Sequence, residues 1–318
     1  SYGLRLSGDL AGVNFINNGS IIGIGSNYGY GIYNDGGTIT TLTNNGLISG
    51  SPYGIYNYGE ITTLTNNGLI SGNGLISGFS YGIYNARGRI GTLTNNGLII
   101  SGIYNYGEIT TLTNNGLIIS DSDSGIYNYG EITTLTNNGL ISDSYYGVWN
   151  NSGTIETLTN NGLISGSGSG VWNNSGGTIT MLTNNGLISG SGYGIYNDGG
   201  TIEILTNNGL ISGYYYRIWN ARGTIETLIN NSLISGSDSG ICNAGGTIET
   251  LTNNGLIISG SSSGIWNDGG RIETLTNNGL IISGSSSGIW NVGGTITTLT
   301  NTGVIYGKTN AIKNYDGT

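Results

Sequence analysis

One stretch, Thr-Leu-Thr-Asn-Asn-Gly-Leu-Ile-Ser, is complete at Thr41–Ser49 and returns with few changes as far as Thr298. Marked by its first Leu, it falls at Leu42, Leu64, Leu93, Leu112, Leu135, Leu158, Leu182, Leu205, Leu228, Leu251, Leu275 and Leu299. The spacings are 22, 29, 19, 23, 23, 24, 23, 23, 23, 24 and 24 residues. A period near 23 held along a chain calls for a repeat architecture. Each unit is then one structural coil that contacts its neighbours, in one quasi-one-dimensional body rather than several globular domains.

Within a unit a shorter similarity appears. Ile55-Tyr56-Asn57-Tyr58-Gly59-Glu60-Ile61 and Leu64-Thr65-Asn66-Asn67-Gly68-Leu69-Ile70 share the pattern apolar-x-Asn-x-Gly-x-Ile. Each half reads as a short strand, an Asn-x-Gly turn and a second short strand. Asn and Gly tolerate positive φ, and the Asn amide bonds nearby backbone. No 3.6-residue apolar period is present, so helix is excluded. Three short strands in about 23 residues fit a triangular parallel β-helix, an all-β solenoid. Its coils would stack at about 4.8 Å, so about 13 of them would make a rod of roughly 60 Å. Ile32, Ile39, Leu42 and Ile48 are the expected inward columns. Asn34, Asn57, Asn85 and Asn44, Asn66, Asn95 are expected to form hydrogen-bonded ladders at the corners.

Residues 1–30 read as a degenerate opening coil, with Phe15-Ile16-Asn17-Asn18-Gly19-Ser20-Ile21 in the place of the motif. Residues 31–305 are the regular repeats and 306–318 a partial coil still in phase, all one continuous domain. The 29-residue spacing holds a tandem copy, Asn67–Gly72 followed by Asn73–Gly78, and the 19-residue spacing lacks the Ser/Gly loop before Ile103. Both changes fall at the corner between Ile-Ser and Gly-Ile, which marks that corner as a surface loop. In-phase ends without a polar cap suggest head-to-tail stacking into filaments.

Composition narrows the function. Only 8% of residues are charged, 62 are Gly and one is Pro, yet disorder would not hold Ile, Leu, Asn and Gly in fixed columns. A net charge of −9 without a basic stripe argues against a nucleic-acid partner. No apolar run is long enough to span a membrane. The first residues already resemble a repeat, so the sequence reads as a mature or excised piece. Cys242 stands alone, where other units carry Tyr or Trp, and reads as a drifted position. With no His, a His-based triad or His metal ligand is unavailable. The acids recur as part of the repeat or lie in loops, so no enzyme is expected.

Gly-Thr-Ile-Thr-Thr-Leu-Thr-Asn-Asn-Gly-Leu-Ile-Ser-Gly alternating with Gly-Ile-Tyr-Asn resembles the passenger repeats of bacterial autotransporters (type V secretion), over residues 31–305. The resemblance implies a right-handed parallel β-helix displayed outside the cell, on the bacterial surface. Its members serve as adhesins, aggregation factors, toxins and carriers. It implies partners such as copies of the chain, cell surfaces or glycans.

Four surface columns are candidates. The residue between Ile or Val and Asn is aromatic: Tyr33, Tyr56, Tyr84, Tyr104, Tyr127, Trp149, Trp172, Tyr196, Trp219, Trp266 and Trp290, interrupted by Cys242. Alternation points it outward, either as a strip for sugar rings or a neighbouring rod, or as a self-stacking ladder. The Thr-x-Thr pairs Thr41/Thr43, Thr63/Thr65, Thr92/Thr94, Thr111/Thr113 and Thr134/Thr136 continue along the chain and look like an ice-binding grid, although Thr is also simply a good strand residue. Met181, Ile204 and Ile229 depart from it. A Leu column from Leu47 to Leu280 is either core or a greasy stripe. Acids form the fourth set: Glu60, Glu108 and Glu131 before the Ile, and Glu156, Glu203, Glu226, Glu249 and Glu273 after it. These suit a solvated face; no cofactor is expected beyond weak Ca²⁺ recruitment. The expected function is an extracellular structural or adhesive rod, the alternative a solenoid that binds ice through the Thr grid or polysaccharide through the Tyr/Trp ladder.

Overall fold

Branched Ile, Val and Thr fill the strand positions of every unit and favour extended backbone, while the Asn-x-Gly pairs interrupt it at fixed intervals. A computed structural model of the chain describes residues 2–8, 12–25, 29–72, 80–121 and 123–318. The tandem copy Asn73–Gly78 lies outside the described residues. The fold is an all-β solenoid of three parallel sheets, with coils of about 23 residues and no helix among the described residues. By its contacts the chain divides into two compact units, Ser1–Trp149 with Gly153–Ile155, and Asn150–Ser152 with Glu156–Thr318.

In the first unit a regular coil is built from Ile32–Asp35, Thr38–Asn44 and Leu47–Gly50. Each strand pairs in parallel with its own counterpart one coil on: Ile32 with Ile55, Leu42 with Leu64, Ile48 with Ile70. The opening coil obeys the same register, Phe15 opposite Leu42 and Ile21 opposite Ile48, with a bulge between Val13 and Asn14. The second unit repeats the pattern, Ile195 with Ile218, Leu205 with Leu228 and Ile211 with Ile234. Its last strand, Ile312–Tyr315, pairs in parallel with Ile289–Val292.

The core is four apolar columns. Ile55, Ile61, Leu64 and Ile70 are each fully buried, as are their counterparts in the second unit, Ile195, Ile202, Leu205 and Ile211. Full burial of such a side chain contributes about 1.5–3 kcal/mol, against the cost of fixing its backbone. The inward set read from the sequence is the one found. The seven-residue strand is not straight, however. In Thr38–Asn44 the ladder pairs Thr38, Ile39 and Thr41 with the next coil but passes over Thr40. Ile39 and Leu42 therefore both point in, three residues apart, and Thr40 and Thr41 both face away from the core. This bend is a corner that strict alternation does not anticipate.

The remaining corners belong to Asn. Asn66 is fully buried, and its Nδ2 donates to Asn95 Oδ1 at 2.8 Å, Leu98 O at 3.1 Å and Gly68 O at 3.2 Å. Asn57 does the same with Asn85 Oδ1 at 2.8 Å. The expected ladders exist in both units; Asn207 donates to Asn230 Oδ1 at 2.8 Å in the second. A buried amide is tolerated only when so partnered. Beside the inner ladder runs an exposed one, in which Asn96 Nδ2 donates back to Asn67 Oδ1 at 2.8 Å. The third turn residue must be small. A Cβ on Gly97 would lie 2.1 Å from Gly68 O.

Candidate functional site

The described residues repeat the same outward columns from coil to coil, and these are surfaces through which this fold can act. The aromatic column leaves the core as alternation requires, but it is not an open strip. Tyr104 and Tyr127 are 3% and 8% exposed, and the other rings of the column are half-buried. In part of each unit the cover is a second set of rings from the corner loop, Tyr30, Tyr53, Tyr81 and Tyr146 in the first unit and Tyr193 and Tyr216 in the second. Tyr127 instead packs on Tyr104, Tyr106 and Trp149. Tyr53 stacks on Tyr81 at 5.5 Å and 7° and on Tyr84 at 5.0 Å and 11°. Where the 19-residue spacing removes the loop, Ser101 and Gly102 close the corner with positive φ, and Tyr104 moves against Tyr81 at 3.7 Å. The sequence signal for this layer is Tyr-Gly-Ile-Tyr, two rings three residues apart, which the single-column reading passed over.

In the second unit Tyr196 and Trp219 stack at 4.4 Å and 7°, and Trp266 and Trp290 at 5.8 Å and 13°. Lys313, which follows Trp290 in the column, sits over its ring at 4.7 Å. Stacked this way, the rings cover one another's faces and present edges. A sugar ring binds on an aromatic face, so the geometry serves cohesion more directly than glycan capture. Cys242 interrupts the column and is 2% exposed. Tyr216 reaches past it to Trp266 at 6.2 Å. Burial, with Asp268 and Asp238 adding to it, pushes the Cys242 thiol up to about 12, so the thiolate that a reactive cysteine needs is suppressed. Burial likewise lifts the phenols of Tyr53 and Tyr216 to about 12.

The Thr pairs keep their expected place. Thr41, Thr63, Thr92, Thr111 and Thr134 pair in register in the first unit, as do Thr43, Thr65, Thr94, Thr113 and Thr136. Both columns face outward and are half-buried by their neighbours. The Leu column, left open by the sequence, also faces outward: half-buried in most coils, and 43% and 39% exposed at Leu117 and Leu280.

The acids are arranged more specifically than their sequence positions suggest. Arg89 takes the column place between Glu60 and Glu108 and pairs with them at 3.6 and 3.0 Å. Its hydrogen bond holds the Glu108 carboxyl below its ordinary value. Glu156, Glu203, Glu226, Glu249 and Glu273 stand at the bend that the ladder passes over. Among the described residues no group of three or more His, Cys, Asp or Glu is placed to hold a metal ion.

One buried cation has no counterpart in the sequence reading. Arg217 replaces the Gly that precedes Ile in other units and is fully buried. Its Nη1 donates to Ser239 O at 2.6 Å and Tyr215 O at 3.3 Å, while Nε and Nη2 have no partner. Burial pulls its guanidinium down to about 10, and Asp238 opposes this. The signal was the lone Arg in a Gly column. No family model, no curated protein and no solved structure matches the chain.

Proposed function

We propose that this chain is a structural and adhesive β-solenoid, displayed outside the cell on a bacterial surface, whose outward columns make many weak, equally spaced contacts. The observation that carries this reading is the self-registration of the outward residues, Thr41 on Thr63 and Leu47 on Leu69, which offers the same contact once per coil. Repetition of a weak contact on a stiff support raises overall binding by avidity without any strong single site. Copies of the chain, through coil-on-coil stacking into filaments, and cell surfaces are the proposed partners. The resemblance to autotransporter passengers supports the location. Beads bearing the protein should cluster or hold bacterial cells, with retention falling as whole coils are removed. Beads that stay dispersed and bind no cells would overturn the proposal.

The five in-register Thr ranks of the first unit favour one second reading, an ice-binding face. A Thr92→Tyr variant should then abolish the slowing of ice growth by the protein; no slowing by the unaltered protein sinks this reading.

A further inference from the structure

The long strands of the second unit break their own Thr rule on three consecutive coils. Met181 and Ile204 pair in register at the Thr41-type place and are 40% and 39% exposed. Ile229 takes the Thr43-type place one coil on, between Thr206 and Thr252. At the adjacent bend position, Glu203, Glu226 and Glu249 follow one another on successive coils, and the ion pairs of the described residues reach none of them. Arg271, in the same sheet, pairs with Glu273 at 2.8 Å instead. Because Glu203 and Ile204 are chain neighbours that both face away from the core, the acid column and the apolar patch lie side by side.

We propose that this face of the second unit docks a cationic amphipathic helix, its apolar side on Met181, Ile204 and Ile229 and its Lys or Arg side chains on Glu203, Glu226 and Glu249. An exposed apolar patch beside unpaired like charges is complementary to a partner that brings both apolar cover and positive charge. Met adds a flexible side chain that adapts to such a surface. A second copy is a poor occupant, because the chain has 17 acids against 8 basic residues and would set acid column against acid column. Anionic lipid and nucleic acid are repelled for the same reason. The spacing selects the helix. Successive coils lie about 4.8 Å apart and successive helical turns about 5.4 Å. Over two steps the mismatch is only about 1 Å, well within the reach of a Lys side chain. Same-face residues of an extended strand lie about 6.8 Å apart and would be about 4 Å out of step.

This inference rests on the reading of the outward columns as contact surfaces, and its test isolates one face. A labelled 18-residue Leu/Lys peptide of amphipathic helical pattern is titrated into the dispersed protein by fluorescence anisotropy, beside a scrambled peptide of equal charge. The variants M181T/I204T/I229T and E203T/E226T/E249T install the residue that other coils carry, and circular dichroism checks that both fold. The helical peptide should bind at least tenfold more tightly than the scrambled one, gain helicity when bound, and lose at least tenfold with either variant. Equal binding of the two peptides, full affinity in M181T/I204T/I229T, or no saturable binding overturns the inference. Any of these outcomes would leave the bead assay, which reads the whole set of columns, to decide the scaffold reading separately.

Discussion

Asn66 passes its side-chain amide hydrogen forward to Asn95 Oδ1 at 2.8 Å, in the interior of the turn. One residue along, the exposed Asn96 passes its own back to Asn67 at 2.8 Å. The two amide ladders of the Asn-Asn turn therefore run in opposite directions, one dry and one wet, and the two should differ sharply in what they contribute.

Removing a buried rung breaks the ladder on both sides. Asn95→Ala takes from Asn66 its shortest acceptor, leaving it Leu98 O and Gly68 O, and leaves Asn114 Oδ1 without its ladder donor, so a loss of about 2 kcal/mol is expected. Asn96→Ala, in the exposed ladder, should change stability by less than about 0.5 kcal/mol. The converse also holds. Leu6 occupies the ladder place beneath Asn34, whose Oδ1 is buried without a partner. Leu6→Asn should therefore stabilise by about 1 kcal/mol. Urea unfolding with amide hydrogen exchange at the affected coil checks all three; an equal response of Asn95 and Asn96 would contradict the dry-ladder account.

Ser232 stands where neighbouring turns carry Gly. A Cβ at Gly209 would lie 2.1 Å from Gly186 O. The strain at Ser232 is visible in the bond Leu233 N to Gly209 O, 3.2 Å long where Leu210 N to Gly186 O is 2.9 Å. Ser232→Gly should raise stability by about 1 kcal/mol and Gly116→Ser should lower it by at least as much. Thermal melts of the two variants should move in opposite directions.

Arg217 is a buried cation with two unpaired nitrogens. Replacing such a group by an apolar side chain of similar length is commonly neutral or stabilising. Arg217→Met should stabilise by about 2 kcal/mol at neutral pH. A Met variant less stable than the parent would mean that the Nη1 bond to Ser239 outweighs the burial of the charge.

The stacked phenols make the fold sensitive to alkali. Burial raises Tyr53, Tyr33 and Tyr216 from the usual 10 to about 12. Unfolded phenols ionise near 10, so this contribution is complete below pH 10 and is lost as pH climbs from about 10 through 12. Tyrosinate absorbance and circular dichroism followed together should show a fraction of the phenols ionising only beyond pH 10, together with loss of the β signal. Complete titration of all the phenols near 10 with the fold intact would contradict the stacking.

The inward columns and the Asn ladders were legible because each rests on a local rule, alternation or turn chemistry, stated afresh in every unit. Thr40 was not, because its bend lies within one strand, where the ladder passes over a residue and strict alternation gives no sign of it. The aromatic layer was half-legible. Tyr56 announces itself by its column, but Tyr53 covers Tyr84 in the next coil, a contact that no spacing within one unit records. The Leu47 column stayed ambiguous for a related reason: outward direction and partial cover are set by neighbouring coils together. Met181, Ile204 and Ile229 were visible as departures, but their adjacency to Glu203 and Glu226 required the bend.

Residue-on-itself pairing, Leu42 on Leu64 and Asn44 on Asn66, has a genetic consequence. A recombination event that drops or doubles one whole period rejoins coils whose faces were already made to meet each other. Such a lineage can change the number of coils in integer steps without passing through a misfolded ancestor, whereas a slip of a single residue would throw Ile out and Thr in.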